Sequence, residues 1–297
     1  MTLHPQARTA VEAAAAEPKV YEPGFDIQAS RRAAREAAVA EPREDVAEVL
    51  DLAADGVPVR VHRPKSAHPG VVLHLHGGGF VFHDNDVHDG LARRLANRSG
   101  HAVVSVDYRR PPEHRFPAAP DDVSTVLGWL EREGERHGLA GPVAAHGDSA
   151  GGNLALVAAL RHPGRLRAVA LLYPFLDPTM GFDSYRTAAD GFDPREAEWY
   201  WQQYAATPAD LEHPDLAPLR SDRLATLPPT LVTTAEHDPL RDEGEHLVQL
   251  LAEAGVEVTG TRYLGQVHGF YRHPTVFDAA EPMLLAAAAF LASHLRR

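Results

Sequence analysis

The sequence of 297 residues contains no cysteine. This absence excludes disulfide bonds and thiolate metal sites, and it fits a reducing compartment, so we expect a cytoplasmic protein. Long apolar runs are also missing, because no segment has the roughly 18 uninterrupted apolar residues that a membrane-spanning helix needs. Residues 1–20 lack an apolar core after a basic start, so we expect no secretory signal.

Basic side chains are in the minority. The chain has 29 Lys and Arg residues against 41 Asp and Glu residues, which gives a formal net charge of −12. Such a charge disfavours nucleic acid and anionic membrane surfaces as partners, although good solubility alone also explains it. We therefore expect a small-molecule partner, and the sequence leaves a homodimer open. The 44% of hydrophobic residues suffices for a substantial core.

Short β-branched runs alternate with helical patterns along most of the chain, which predicts an α/β fold with a mostly parallel sheet. Eight strands are predicted, the first two of them polar enough for sheet edges, at 46–52, 57–62, 71–76, 102–108, 142–146, 166–173, 229–235 and 256–263. Helices are predicted in the N-terminal segment and around the later strands, at 30–40, 86–98, 120–136, 150–161, 240–254 and 275–295.

One interval, 176–225, interrupts this alternation. It has no convincing strand and several prolines, and it contains the aromatic residues Trp199, Tyr200, Trp201 and Tyr204. An insertion of this length between two core strands is more often functional than decorative. We predict one catalytic domain, 46–175 and 226–297, with N-terminal cap helices at 1–45 and a cap insertion at 176–225.

The pentapeptide 147–151, Gly-Asp-Ser-Ala-Gly, has the G-x-S-x-G pattern of a nucleophile elbow. A predicted strand precedes it and a predicted helix follows it, which is the context that a sharp strand-to-helix turn requires. Alone the pattern occurs often by chance. The similar G-D-S-G-G of chymotrypsin-like proteases belongs to disulfide-rich all-β proteins, which this chain does not resemble. Ser149 is therefore the candidate nucleophile.

A run of three glycines, Gly77 to Gly79, directly follows the third predicted strand. Such a run costs folding entropy and usually marks a close backbone approach. In this fold, amides at that position and the amide after the nucleophile hold the oxyanion, which assigns Gly78, Gly79 and Ala150 as donors. His74 and His76 share a strand face, but no acidic ligand lies at a recognisable spacing, so we expect no metal.

An attacking serine needs a base, and the base needs an orienting carboxylate. In this fold the order along the chain is serine, acid, histidine, each after a strand. Asp238 follows the strand predicted at 229–235, and His268 follows the last strand. Asp242 is a weaker candidate for the acid because it lies four residues further on, in the next predicted helix.

These motifs together resemble those of the hormone-sensitive-lipase-like (bacterial family IV) carboxylesterases of the α/β-hydrolase superfamily. The resemblance spans nearly the whole chain and rests on the segments 76–80, 108–119, 147–153, 238–242 and 268–270. It implies an α/β-hydrolase fold with a helical cap and a triad of Ser149, Asp238 and His268. One departure is at 108–114, which reads Tyr-Arg-Arg-Pro-Pro-Glu-His where the family usually has Tyr-Arg-Leu-Ala-Pro-Glu-His.

The resemblance implies hydrolysis of carboxylic esters with short to medium acyl chains through an acyl-enzyme, without a cofactor. The same triad would serve an amidase, an arylformamidase or a lactonase, and the sequence does not separate these. Relatives that lost the histidine have become small-molecule receptors, which the presence of His268 disfavours. Aromatic residues are candidates for pocket walls, although such residues form cap core at least as often: Phe80, Tyr173, Phe192, Trp199 and Trp201.

Overall fold

A computed structural model describes residues 2–296. Its centre is one eight-stranded sheet, in which the strands follow the order β1-β2-β4-β3-β5-β6-β7-β8. The strands are β1 (Glu48–Ala54), β2 (Val57–Arg63), β3 (His68–Leu75), β4 (His101–Val106), β5 (Val143–Asp148), β6 (Leu166–Leu172), β7 (Thr230–His237) and β8 (Val258–Val267). The β1–β2 and β2–β4 pairs are antiparallel, and the remaining pairs are parallel. The predicted mostly parallel sheet is confirmed.

The prediction that the first two strands both form edges is wrong for β2, which pairs with β1 on one side and β4 on the other. Its polar residues are tolerated inside the sheet because acidic side chains pair with them. Arg60 forms ion pairs with Asp51 and Asp86, and the buried His62 lies 2.9 Å from a carboxylate oxygen of Asp89. The polar residues of β2 therefore indicate pairing with acidic side chains and not a position at the edge of the sheet.

Nine α-helices lie within residues 2–296: α1 (Pro5–Ala14), α2 (Ile27–Ala40), α3 (Asp89–Ser99), α4 (Ala118–Glu133), α5 (Ala150–Arg161), α6 (Ser184–Thr187), α7 (Pro194–Tyr204), α8 (Arg241–Glu253) and α9 (Ala280–Leu295). Two apolar clusters cover the two faces of the sheet. One joins α4, α5 and α8 to the strands, and the other joins α3 and α9 to the opposite face. Within residues 2–296, no helix is both long enough and apolar enough to cross a membrane.

The N-terminal segment and the insertion at 176–225 contact each other. The Phe25 and Trp199 rings pack edge to face at 6.5 Å, and the Tyr21 hydroxyl donates a hydrogen bond to Asp193, the N-cap of α7. The buried Arg31 fixes α2 to the rest of the molecule. These contacts agree with the predicted cap, and the proposed division into domains stays a prediction.

Candidate active site

The nucleophile elbow is a sharp turn between β5 and α5. Ser149 has φ 55° and ψ −121°, a strained conformation for a residue with a side chain. Its neighbouring glycines are required by close contacts, since a Cβ on Gly147 would clash with the Gly151 carbonyl and one on Gly151 with the Leu75 carbonyl. The turn thereby presents the Ser149 hydroxyl at the carboxyl end of the sheet.

Asp238 and His268 lie at the ends of β7 and β8, and the structure brings both to the serine. His268 Nε2 is 3.0 Å from Ser149 Oγ, and His268 Nδ1 is 2.8 Å from Asp238 Oδ2. Asp238 is fully buried, and its other carboxylate oxygen accepts a hydrogen bond from the Leu240 amide. This bond fixes the carboxylate, so that it can hold the imidazole with Nδ1 protonated and Nε2 directed at the hydroxyl.

The aromatic rings of Tyr173 and Phe192 enclose His268. Their centroids lie 4.7 Å and 4.9 Å from that of the imidazole.

Asp242 lies apart from this arrangement, since one of its carboxylate oxygens accepts a hydrogen bond from the Ser184 amide. The geometry thus separates the two candidate acids that the sequence offered.

The glycine loop runs beside the elbow. Gly78 and Gly79 have φ values of 115° and 59°, which disfavour any residue with a Cβ. A Cβ on Gly79 would also clash with the ring of Tyr200, which packs directly on the loop. Within residues 2–296 no backbone acceptor pairs with the Gly78 or Gly79 amide, and Ala150 is the first residue of α5, where helices leave amides free. Three amides are therefore available to an oxyanion.

Asp148, the second residue of the pentapeptide, has a role that the sequence analysis missed. Its buried carboxylate accepts a hydrogen bond of 3.1 Å from the Gly77 amide and so ties the elbow to the glycine loop. Burial raises the pKa of Asp148 to about 6. The pattern G-x-S-x-G accepts any residue at the position of Asp148. The glycine loop packed against this position explains why a short side chain with a hydrogen-bond acceptor is found there.

A family model described as an alpha/beta hydrolase fold matches residues 72–272, which include the elbow, Asp238 and His268. The chain belongs to this family. An ethyl acetate hydrolase of Pseudomonas putida is 35% identical over 251 residues, which cover 80% of this chain and 79% of that protein. Esterase LipI of Mycobacterium tuberculosis is 39% identical over 249 residues, which cover 78% of each.

Solved structures agree with the family assignment. A hyperthermophilic esterase from the archaeon Pyrobaculum calidifontis superposes with a TM-score of 0.88 at 35% identity, over 99% of each chain. The thermophilic carboxylesterase EstE1, cloned from a metagenomic library, superposes with a TM-score of 0.85, also at 35% identity, over 93% of this chain. This α/β-hydrolase is therefore a carboxylic ester hydrolase, as the resemblance predicted.

A cavity of about 200 Å³ opens beside Ser149 in this hydrolase, and we name it the catalytic cavity. Two of the five predicted wall residues, Tyr173 and Phe192, line it. The other three lie elsewhere: Phe80 stacks on Tyr204 at 3.8 Å, Trp201 packs on Phe175, and Trp199 stacks on Phe82. These three aromatic residues pack α7 against the segments that follow β3 and β6.

The catalytic cavity also has wall residues that the sequence analysis missed. They are Phe175, Glu196, Tyr200, His83 and Arg272. A second cavity of about 730 Å³, the outer cavity, adjoins it between α2 and Tyr200 and shares His83, Glu196 and Tyr200. The five wall residues that the sequence analysis missed come from four separated segments, so no local sequence motif indicates them.

Buried histidines lie beneath the elbow. His74 Nε2 is 3.2 Å from His88 Nδ1, and one ligand atom each of His74, His88 and Asp148 lies within 4.8 Å of the others. Burial lowers the pKa of both imidazoles well below its usual value, so both are neutral. The nearby charge of Arg272 also lowers the pKa of His88 and disfavours a bound cation. The structure thus groups His74 with His88 and Asp148 rather than with His76, and the metal-free site stays a prediction.

Proposed function

We propose that this hydrolase cleaves carboxylic esters of short to medium acyl chains through an acyl-enzyme on Ser149. The observation that carries the proposal is the continuous line from Asp238 through His268 to the Ser149 hydroxyl, with separations of 2.8 and 3.0 Å. Both lie within the range that proton transfer requires. The hydroxyl therefore has a base within reach, and the base has a fixed, buried carboxylate behind it.

The first half of the reaction forms the acyl-enzyme. Ser149 Oγ attacks the ester carbonyl carbon while His268 Nε2 takes the hydroxyl proton, and Asp238 stabilises the resulting imidazolium. The carbonyl oxygen becomes an oxyanion against the amides of Gly78, Gly79 and Ala150. When the tetrahedral intermediate collapses, His268 returns the proton to the departing alcohol oxygen.

The second half releases the acid. Water attacks the acyl carbon, His268 takes one of its protons, and the same three amides hold the second oxyanion. The proton then returns to Ser149 Oγ as the acyl–serine bond breaks. The product is the carboxylic acid, and the enzyme regains its starting state without any cofactor.

The proposed chain-length limit comes from the catalytic cavity. Its volume of about 200 Å³ accepts only a small group, whereas the adjoining outer cavity of about 730 Å³ accepts a larger one. We assign the acyl group to the catalytic cavity and the departing alcohol to the outer cavity. On this assignment, lengthening the acyl chain is limited by contact with Tyr173, Phe192 and Tyr200.

The test is hydrolysis of p-nitrophenyl esters from acetate to palmitate by the wild-type protein and by Ser149→Ala. We expect a maximum at short to medium chains, and a loss of at least about 10,000-fold in kcat for Ser149→Ala with an unchanged melting temperature. Ser293→Ala, which changes an exposed serine, serves as the control. Full activity in a folded Ser149→Ala protein would overturn the mechanism, and a maximum at palmitate would overturn the chain-length assignment.

A further inference from the structure

Arg272 contributes a positive charge to the wall of the catalytic cavity, four residues after His268. It is half-buried, and no carboxylate oxygen of residues 2–296 comes within 4.0 Å of its guanidinium nitrogens. Its Nη1 contacts His83, while Nε and Nη2 have no acceptor in that described part of the chain. A partly buried charge without a counter-charge is costly, so it retains a strong attraction for an anion.

His83 does not neutralise this charge. Its Nδ1 lies 3.2 Å from the Gly77 carbonyl oxygen, to which it donates, and its Nε2 lies 3.0 Å from Arg272 Nη1. Because a guanidinium only donates, Nε2 is the acceptor and the imidazole is neutral. Burial, and then the charge of Arg272, hold the pKa of His83 well below its usual value. His83 also has φ 65°, a left-handed conformation that non-glycine residues seldom adopt and that is common at functional sites.

Two carboxylates face the same cavity, and both are engaged elsewhere. Asp148 accepts a hydrogen bond from the Gly77 amide and lies beyond 4.0 Å from the guanidinium. Burial raises the pKa of Asp148, and the charge of Arg272 lowers this pKa in part from a distance, without forming an ion pair. Glu196 lies 3.7 Å from Lys19 Nζ, on the side of the outer cavity. Neither carboxylate forms an ion pair with Arg272, so the Nε and Nη2 donors of Arg272 are available to a ligand.

We propose that Arg272, supported by His83, binds a carboxylate on the acyl part of the substrate, so that the enzyme prefers monoesters of short dicarboxylic acids. The Nε–Nη2 edge of a guanidinium matches a carboxylate in a bidentate pair, which a neutral acyl chain cannot form. The volume of about 200 Å³ restricts the acid to a few carbons between its two carboxyl groups. This inference rests on the proposed function and on the assignment of the acyl group to this cavity.

The experiment compares two ethyl esters of nearly the same shape, the anionic monoethyl succinate and the neutral ethyl levulinate, by titrating the acid released at constant pH. We expect the wild-type protein to have the higher kcat/KM on monoethyl succinate. Arg272→Gln should lower kcat/KM on monoethyl succinate by about 10- to 100-fold, the value of a charge-assisted hydrogen-bonded pair. The ratio of kcat/KM on monoethyl succinate to kcat/KM on ethyl levulinate should therefore fall, because the neutral ester has no charge for Arg272 to bind.

Two further variants complete the experiment. Arg272→Lys retains the charge without the bidentate edge and should keep only part of the preference, whereas Arg167→Gln removes an exposed arginine charge and should leave both esters unaffected. A wild-type preference for ethyl levulinate overturns the inference even if no Arg272 variant folds, and so does an unchanged ratio in folded Arg272→Gln. If the wild-type protein hydrolyses p-nitrophenyl acetate but neither ethyl ester, the inference alone fails, and if it hydrolyses none of the three esters the proposed function fails, so the two failures are distinguishable.

Discussion

At the scale of single residues, the carboxyl group of Asp148 links the chemistry of this site to the stability of the fold. The carboxylate is needed as an acceptor for the Gly77 amide, yet it is buried beneath the elbow. Burial raises its pKa to about 6 from the ordinary value of 3.8. The folded state therefore holds the proton more tightly than the unfolded state does.

The sign of the resulting pH dependence follows from that difference. Below about pH 4 both states are protonated, and between about pH 4 and 6 only the unfolded state releases the proton. This group therefore lowers the free energy of unfolding as the pH rises through that window. Asp148→Asn removes the effect, so its free energy of unfolding should gain about 2 to 3 kcal/mol relative to wild type from pH 4 to pH 7.

The measurement is urea unfolding at several pH values. A constant offset between the two proteins reports altered packing, whereas the change of the offset with pH reports the ionisation. Asp45→Asn, which removes an exposed carboxylate, should give a curve parallel to that of wild type. Parallel curves for Asp148→Asn as well would show that burial does not disfavour the ionised carboxyl group.

At the scale of elements, Arg31 is the point at which α2 is fixed to the loops around the site. Its guanidinium donates to the carbonyl oxygens of Val81 and Pro111 and forms an ion pair with Glu113. Glu113 and Pro111 belong to the segment in which the sequence departs from the family pattern. The departure leaves the segment able to anchor a helix, because Arg31 is bound by a backbone carbonyl and by the retained glutamate.

Arg31→Ala should release α2 without unfolding the sheet. Amide exchange in α2 should become at least about tenfold faster, since two or more hydrogen bonds to a charged group are lost at about 1.5 to 3 kcal/mol each. The KM for esters should rise because α2 lines the outer cavity. Arg32→Ala, on the exposed face of the same helix, is the control and should change neither quantity. Unchanged exchange in Arg31→Ala would contradict this anchoring role.

The elements were predicted from the sequence to different degrees, and the reasons are physical. Buried parallel strands such as β3 and β6 are apolar runs between breakers, which a sequence shows directly. The place of β2 could not be predicted, because the partners of Arg60 and His62, which are Asp86 and Asp89, come from another segment. The last helix begins at Ala280 rather than near 275, since Pro274 and the residues after it form turns first.

The residues of the candidate site were likewise predicted from the sequence to different degrees. Ser149, Asp238 and His268 each follow a strand within a local motif, and the parallel sheet brings the ends of those strands together. Arg272 and Tyr200 have no motif, because their positions at the cavity depend on the backbone after His268 and on the docking of α7. Sequence patterns therefore locate the reacting groups better than the groups that select the substrate.

At the scale of the whole molecule, α9 covers the face of the sheet opposite α5. Its buried residues pack on β3, β5 and β6 and on α3. The burial of the sheet face away from α5 therefore depends on α9. One of these strands, β5, leads directly into the elbow at Ser149. We therefore expect the core behind α9 and the catalytic residues to unfold as one cooperative unit.

Leu291→Ala tests this cooperativity, because the Leu291 side chain is completely buried between α9 and the sheet. The cavity and the lost apolar contacts should lower the free energy of unfolding by about 2 to 5 kcal/mol. Circular dichroism and residual esterase activity, followed through the same urea titration, should give coincident single transitions that both shift to lower urea. Leu285→Ala on the same helix, where the side chain is 48% exposed, should change the free energy of unfolding by less than about 0.5 kcal/mol. Loss of activity well before loss of helicity would contradict the single unit and place the catalytic residues in a separately unfolding part.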